Sequence, residues 1–142
     1  MEVSLVRKRL QDAMAAARQR TQQQRLRAAE AEKTFAVFLN DVAIPVTRQM
    51  AMALKAEGQA FTVFTPGDGL RLAADRGRDD FIEFALDTSG AEPQVIGRIR
   101  HTRGSRTIDD ERPIRPGASP DTLTEEDVLE FLVHALEPWL ER

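Results

Sequence analysis

Apolar and small side chains recur at alternating spacings of four and three residues along the first part of the chain. This is the pattern of a heptad repeat. The repeat runs from Val3 to Val42, with polar residues at Arg7, Thr21 and Gln24. The residues between are mostly alanine, arginine, glutamine, glutamate and lysine, which favour helix. The pattern therefore predicts a long helix over residues 1–44.

This helix is too long for the rest of the chain to cover. Residues 1–43 would span about 65 Å, whereas a compact domain of roughly a hundred residues has a radius of gyration of about 13 Å. We expect the N-terminal half to extend beyond the domain and to present its heptad positions to another chain, in parallel or antiparallel orientation. The predicted oligomer interface comprises Leu10, Met14, Ala17, Thr21, Gln24, Ala28 and Ala31.

The helix changes character near Pro45, because proline removes one helical hydrogen bond and clashes with the preceding turn. The sequence leaves open whether the helix kinks or breaks there. A second helical segment follows over residues 46–57, and Gly58 is placed to end it. Just before the proline, the large side chains of Phe35 and Phe38 are expected to anchor the long helix to its domain.

After Gly58 the apolar period changes to two, which predicts an antiparallel meander of four to five strands over residues 60–114. The predicted strands are 60–65, 70–74, 81–87, 94–102 and 106–114. Their connections are short and rich in glycine, for example at residues 76–79, so neighbouring strands must be antiparallel. Side chains expected to face the core are Ile82, Phe84, Leu86, Val95 and Ile99.

The last predicted element is an amphipathic helix over residues 123–141. Thr124 is suited to cap it, with Asp127 in its first turn. The apolar stripe that we expect to lie across the sheet comprises Leu129, Leu132, Val133, Leu136 and Leu140. The fold class is thus predicted to be α+β, and residues 1–142 are expected to form a single domain.

Composition narrows the range of functions. The chain has 142 residues, 42% of them hydrophobic, and contains no cysteine. Disulfides and thiolate chemistry are therefore excluded. We see neither the apolar core of a signal peptide nor a run of about 20 apolar residues, and so expect a cytoplasmic protein that does not enter the membrane.

Charge is distributed unevenly along the chain. Residues 1–33 hold eight basic and four acidic side chains, whereas residues 121–142 hold one basic and seven acidic ones. The two ends therefore carry net charges of +4 and −6. This asymmetry indicates either an anionic partner for the first helix or two terminal helices that attract each other, within one chain or between chains. We favour the second interpretation.

Arginines suggest an alternative function in nucleic-acid binding. Such binding needs basic groups on one surface, because phosphate neutralisation supplies much of the affinity. The candidate contacts are Arg98, Arg100, Arg103 and Arg106, together with the arginines of the first helix. Acidic residues on the adjoining strand make a solvated, ion-paired face the preferred interpretation.

No pattern in the sequence indicates a catalytic centre. His101, Asp109 and Glu111 form the one group that could be imagined to bind a metal, and the sequence leaves open whether they converge; a charged edge strand explains them as well. We predict no catalytic residues, no metal and no cofactor. The expected function is a non-enzymatic interaction or scaffolding module that forms homo-oligomers through its N-terminal helix. An adaptor- or chaperone-like role towards a protein client is one form that such a module could take.

Overall fold

The structure is a computed structural model that describes residues 1–76 and 79–141. Its elements are helix α1 (Val3–Phe38), a π-helical segment (Leu39–Ala43), helix α2 (Ile44–Ala56), strands β1 (Phe61–Phe64), β2 (Leu70–Ala74), β3 (Phe81–Asp87), β4 (Gln94–Arg103) and β5 (Arg106–Pro113), a 3-10 turn (Pro120–Thr122) and helix α3 (Glu125–Leu140). The predicted α+β class and order of elements are confirmed. The predicted turn over residues 76–79 lies partly outside the described residues, and the single domain stays a prediction.

The long helix continues past Asn40 through the π-helical segment and does not break at Pro45. The N–H of Ile44 donates to the carbonyl of Leu39, five residues earlier, whereas an α-helical bond reaches back four residues. Pro45 lies in the first turn of α2, where a missing N–H and a fixed φ are tolerated. Of the kink and the break that the sequence left open, the structure has the kink, in the form of a wide turn immediately before the proline.

Helix α2 ends at the predicted glycine. Gly58 has a φ of 83°, in the left-handed region. Its N–H donates to the carbonyl of Lys55 at 3.0 Å, and the N–H of Gln59 donates to the carbonyl of Leu54 at 2.8 Å. Both bonds satisfy carbonyls that the end of the helix would leave unpaired, so the chain can turn sharply into β1.

The five strands form one antiparallel sheet in the order β1-β2-β3-β4-β5, as the short connections predict. Side chains alternate between its two faces. The inner face carries the buried residues Leu70, Leu72, Ile82, Phe84, Val95 and Ile99. Leu86, predicted to lie in the core, is half-buried and packs at its margin.

Helix α3 covers the inner face and begins at the predicted cap. The N–H of Asp127 donates to Oγ1 of Thr124 at 3.2 Å, and the N–H of Thr124 donates to the Asp127 carboxylate at 2.9 Å. This reciprocal pair is a capping box. It fixes the start of the helix so that its following turns lie over β3 and β4.

Gly97 in β4 provides the space for a side chain of α3. A Cβ atom at Gly97 would lie 2.0 Å from Cζ of Phe131, whose ring meets that of Phe84 edge-on at 5.6 Å. Phe131 therefore lies directly over the middle of β4.

Trp139 closes the other end of the core. Its Nε1 donates to the Asp80 carboxylate at 3.3 Å, and that carboxylate also accepts the N–H of Thr102 at 2.9 Å. The indole ring meets the rings of Phe61 and His101 edge-on at 5.8 and 5.7 Å. Asp80 is buried, so its carboxylate connects the start of β3 to β4 and α3 through satisfied hydrogen bonds.

The apolar stripe predicted on α3 is only partly buried. Leu132 and Leu136 lie in the core, but Leu129, Val133 and Leu140 are about half exposed. The buried face is completed by Val128, Phe131, Ala135 and Trp139. The helix therefore buries its aromatic side chains together with Leu132 and Leu136, and the other three residues of the predicted stripe face outwards.

Candidate protein–protein interface

Helix α1 extends beyond the rest of the protein at its N-terminal end. Every side chain of residues 1–27 is exposed, and we call this segment the N-terminal arm. Its helical residues, from Val3 onwards, span about 38 Å at 1.5 Å per residue. The arm is the overhang expected from the length of the heptad repeat.

The residues of the predicted oligomer interface differ in exposure. Leu10 and Met14 are 59% and 46% exposed, and Ala17, Thr21 and Gln24 are exposed as well. Ala28 is half-buried, and Ala31 is buried by its own chain. The open part of the predicted interface therefore runs from Leu10 to Gln24.

The polar residues of the arm do not interrupt its helix. The hydroxyl of Thr21 donates to the carbonyl of Ala17 at 3.0 Å, which removes the free donor from the helix surface. Small side chains at Ala17 and Thr21 allow another helix to approach closely. Larger apolar side chains at Leu10 and Met14 supply most of the apolar area that such a helix could cover.

The arm is fixed at its base by aromatic packing. Phe35 and Phe38 are buried, and their rings stack with centroids 6.3 Å apart. Here α1 contacts the 3-10 turn, and a cleft of about 390 Å³ between them is lined by Phe38, Val42 and Leu123, among others. The expected anchoring of the helix by its large side chains agrees with this packing.

Two of the four candidate nucleic-acid contacts belong to a paired charge network on the outer face of the sheet. Arg71, Glu83, Arg98 and Glu111 lie side by side across β2, β3, β4 and β5. Glu83 accepts from Nε of Arg71 at 2.9 Å and lies 3.8 Å from Arg98. Arg98 also lies 3.5 Å from Glu111. Each charge in this row thus has a neighbour of opposite sign.

Arg100 lies in the next row and is paired as well. Its Nε donates to Asp109 at 2.9 Å, and this hydrogen bond, together with the carboxylate's charge, raises the pKa of the Arg100 guanidinium above its ordinary value. The guanidinium carbons of Arg71 and Arg100 lie 4.1 and 5.9 Å from the ring centre of Phe81. Phe81, an apolar residue on the outer face, is therefore covered by cations.

Arg103 and Arg106 do not join these arginines on one surface. They face each other at the end of the β4–β5 hairpin, and strand alternation places them on the side opposite to Arg98 and Arg100. Neither has a carboxylate within 4 Å among residues 1–76 and 79–141. The four candidates thus divide into two ion-paired residues and two residues at a hairpin tip.

Replacing Arg98 and Arg100 together by glutamine should change the free energy of unfolding by less than about 1 kcal/mol, because the two arginine side chains are 52% and 41% exposed. Urea denaturation of the variant and the wild-type protein measures this difference. The same variant tests the alternative function. Wild-type binding to DNA or RNA tighter than about 1 µM at physiological salt, lost in the variant, would contradict our interpretation of these residues.

His101, Asp109 and Glu111 do not converge. The register pairs Asp109 with Arg100 and Glu111 with Arg98 on the outer face, whereas His101 is opposite Ile108 on the inner face. His101 packs against Trp139 and borders a groove of about 450 Å³ between β5 and α3. Within the described residues, no group of three potential ligands could hold a metal ion.

Sequence reasoning missed the exposed apolar face of α3, formed by Leu129, Val133 and Leu140. The sequence did contain an indication of this exposed face, because Phe131, Ala135 and Trp139 form a second apolar row on the same helix, with spacings of four residues. One sheet face cannot cover both rows of a single helix. The row with the larger aromatic side chains is the one that is buried.

Comparisons with other proteins give no information about the function of this chain. None of the helices in the described part of the chain is long and apolar enough to cross a membrane. A search against protein-family models, curated proteins and solved structures found no match to this chain.

Proposed function

We propose that this protein is a non-enzymatic interaction module that forms homo-oligomers through its N-terminal arm. The observation that carries the proposal is an exposed helix of residues 1–27 with Leu10 and Met14 on one face, held at its base by the buried Phe35 and Phe38. Helices in proteins gain most of their stability from tertiary packing of an apolar face. A partner along the apolar face would add the packing that the arm lacks.

Nucleic-acid binding is less well supported as the role of this protein. Arg98 and Arg100 already interact with carboxylates, and a phosphate would have to compete with those carboxylates. A protein client at the same arm would make the module adaptor-like. We further propose a cytoplasmic location, which is compatible with the absence of cysteine.

The test is the mass of the protein in solution. We expect at least a dimer by light scattering at micromolar concentration, and Leu10→Glu/Met14→Glu should dissociate it because two charges would then be placed in the contact. Gln19→Glu/Gln23→Glu is the matched control, since it adds the same charge on the opposite face of the arm and should leave the mass unchanged. A wild-type protein that stays monomeric across this range would refute the proposal.

A further inference from the structure

The exposed apolar face of α3 is a second helix surface without a partner in the described structure. Leu129, Val133 and Leu140 are 47%, 48% and 50% exposed. At about 100° per residue they fall within an arc of about 40°. On the same side lie the exposed carboxylates of Glu126, Glu130 and Glu137. An apolar stripe with an acidic margin is therefore open to solvent.

The N-terminal arm has the matching pattern. Exposed positions on its apolar face are spaced by four and seven residues, and so are those on the face of α3, over a length of about 16 Å in each helix. The two sets are Leu10, Met14 and Thr21 on the arm, with Ala17 between the last two, and Leu129, Val133 and Leu140 on α3. The small residues of the arm would lie against the large ones of α3, which favours close packing.

The charges beside the two stripes are complementary. Arg18 and Arg25 border one side of the arm's apolar face, seven residues apart, and Arg20 and Arg27 border the other side with the same spacing. Two arms packed against each other along residues 18–27 would bring arginine towards arginine. Glu130 and Glu137 of α3 are also seven residues apart, so each could pair with an arginine of an arm.

We propose that the arm of one copy docks on the exposed face of α3 of a second copy. This inference rests on the proposed self-association and names the surface that receives the arm. Reciprocal exchange of arms about a two-fold axis forms a closed dimer in which both stripes of both chains are covered. The opposite net charges of the two chain ends, +4 for residues 1–33 and −6 for residues 121–142, then attract between chains.

Charge reversal with full-length chains tests this arrangement. One variant is Arg18→Glu/Arg25→Glu on the arm, and the other is Glu130→Arg/Glu137→Arg on α3. Each alone should weaken the homodimer at least about tenfold, because like charges then meet across the contact. An equimolar mixture should recover a heterodimer, since the arm of the first variant suits α3 of the second and the remaining contact is wild type. Glu57→Arg/Asp68→Arg is the control, with the same charge change at exposed residues outside α3 and the arm.

Sedimentation velocity with one variant carrying a fluorescent label measures each species, and circular dichroism verifies that both variants fold. Recovery of the heterodimer supports docking of the arm on α3. A different result would be an α3 variant that dimerises like the wild type while Leu10→Glu/Met14→Glu dissociates. The arm would then pair with another arm, so the docking proposal would be wrong but the proposed self-association would stand. A monomeric wild-type protein would refute both.

Discussion

Replacing Phe38 by alanine is expected to lower the free energy of unfolding by roughly 3 to 5 kcal/mol, the range for a large aromatic residue removed from a core. Phe38 is 3% exposed and stacks against Phe35 at the base of the arm. Because this ring is almost completely buried where α1 meets the 3-10 turn, its removal leaves a cavity in the core. Urea denaturation followed by circular dichroism gives the difference.

Gln24→Ala is the control for this prediction. Gln24 is exposed on the same helix, and alanine is the better helix former, so we expect a change close to zero. A small loss of stability in Phe38→Ala, accompanied by loss of the oligomer, would contradict the assignment of Phe38 to the core of its own chain. It would place this ring in the contact with a partner.

Gly97→Ala is expected to cost about 2 to 3 kcal/mol of stability, at the upper end of the range for overpacking a core. The added methyl group would lie 2.0 Å from Cζ and 2.5 Å from Cε1 of Phe131. That ring is held in turn against Phe84, so it cannot move aside without disturbing the middle of the sheet. The effect is measured as a shift in the midpoint of urea unfolding.

Two further variants test whether the loss of stability comes from the contact with Phe131 or from the replacement of a glycine as such. Gly90→Ala should be nearly neutral, because an added Cβ would lie 3.9 Å from the carbonyl oxygen of Glu92, which is ordinary van der Waals contact. Adding Phe131→Leu to Gly97→Ala should cost less than the sum of the two single changes, because the shorter side chain leaves room for the methyl group. Additive losses would show that the ring is not the cause.

The secondary structure followed closely from the sequence because the apolar period is distinct in each part of the chain. Val3 to Val42 keeps a heptad spacing, and the five strands were placed to within about two residues by their alternation and turns. The π-helical segment could not be predicted. Proline indicates that a hydrogen bond is lost, but the way the backbone compensates depends on how Leu39 and Ala43 pack in the core.

The candidate interface could be predicted only in part. The heptad pattern identifies which residues share a face of the helix, but it does not show where the rest of the chain begins to cover that face. For this reason the prediction grouped Ala31 with the exposed interface residues, although its own chain buries it. The choice between two apolar rows on α3 is likewise a tertiary effect. It depends on the space above Gly97, which Phe131 occupies.

The π-helical segment determines the direction in which the arm presents its apolar face. A π turn holds one residue more than an α turn, so the same residues wound as an uninterrupted α-helix would rotate everything before Leu39 by about 100° relative to the sheet. Leu10 and Met14 would then point elsewhere without any change in their own sequence. A substitution between Leu39 and Ala43 that converts the π turn to α-helix would thus redirect the proposed assembly while both contact surfaces stay intact.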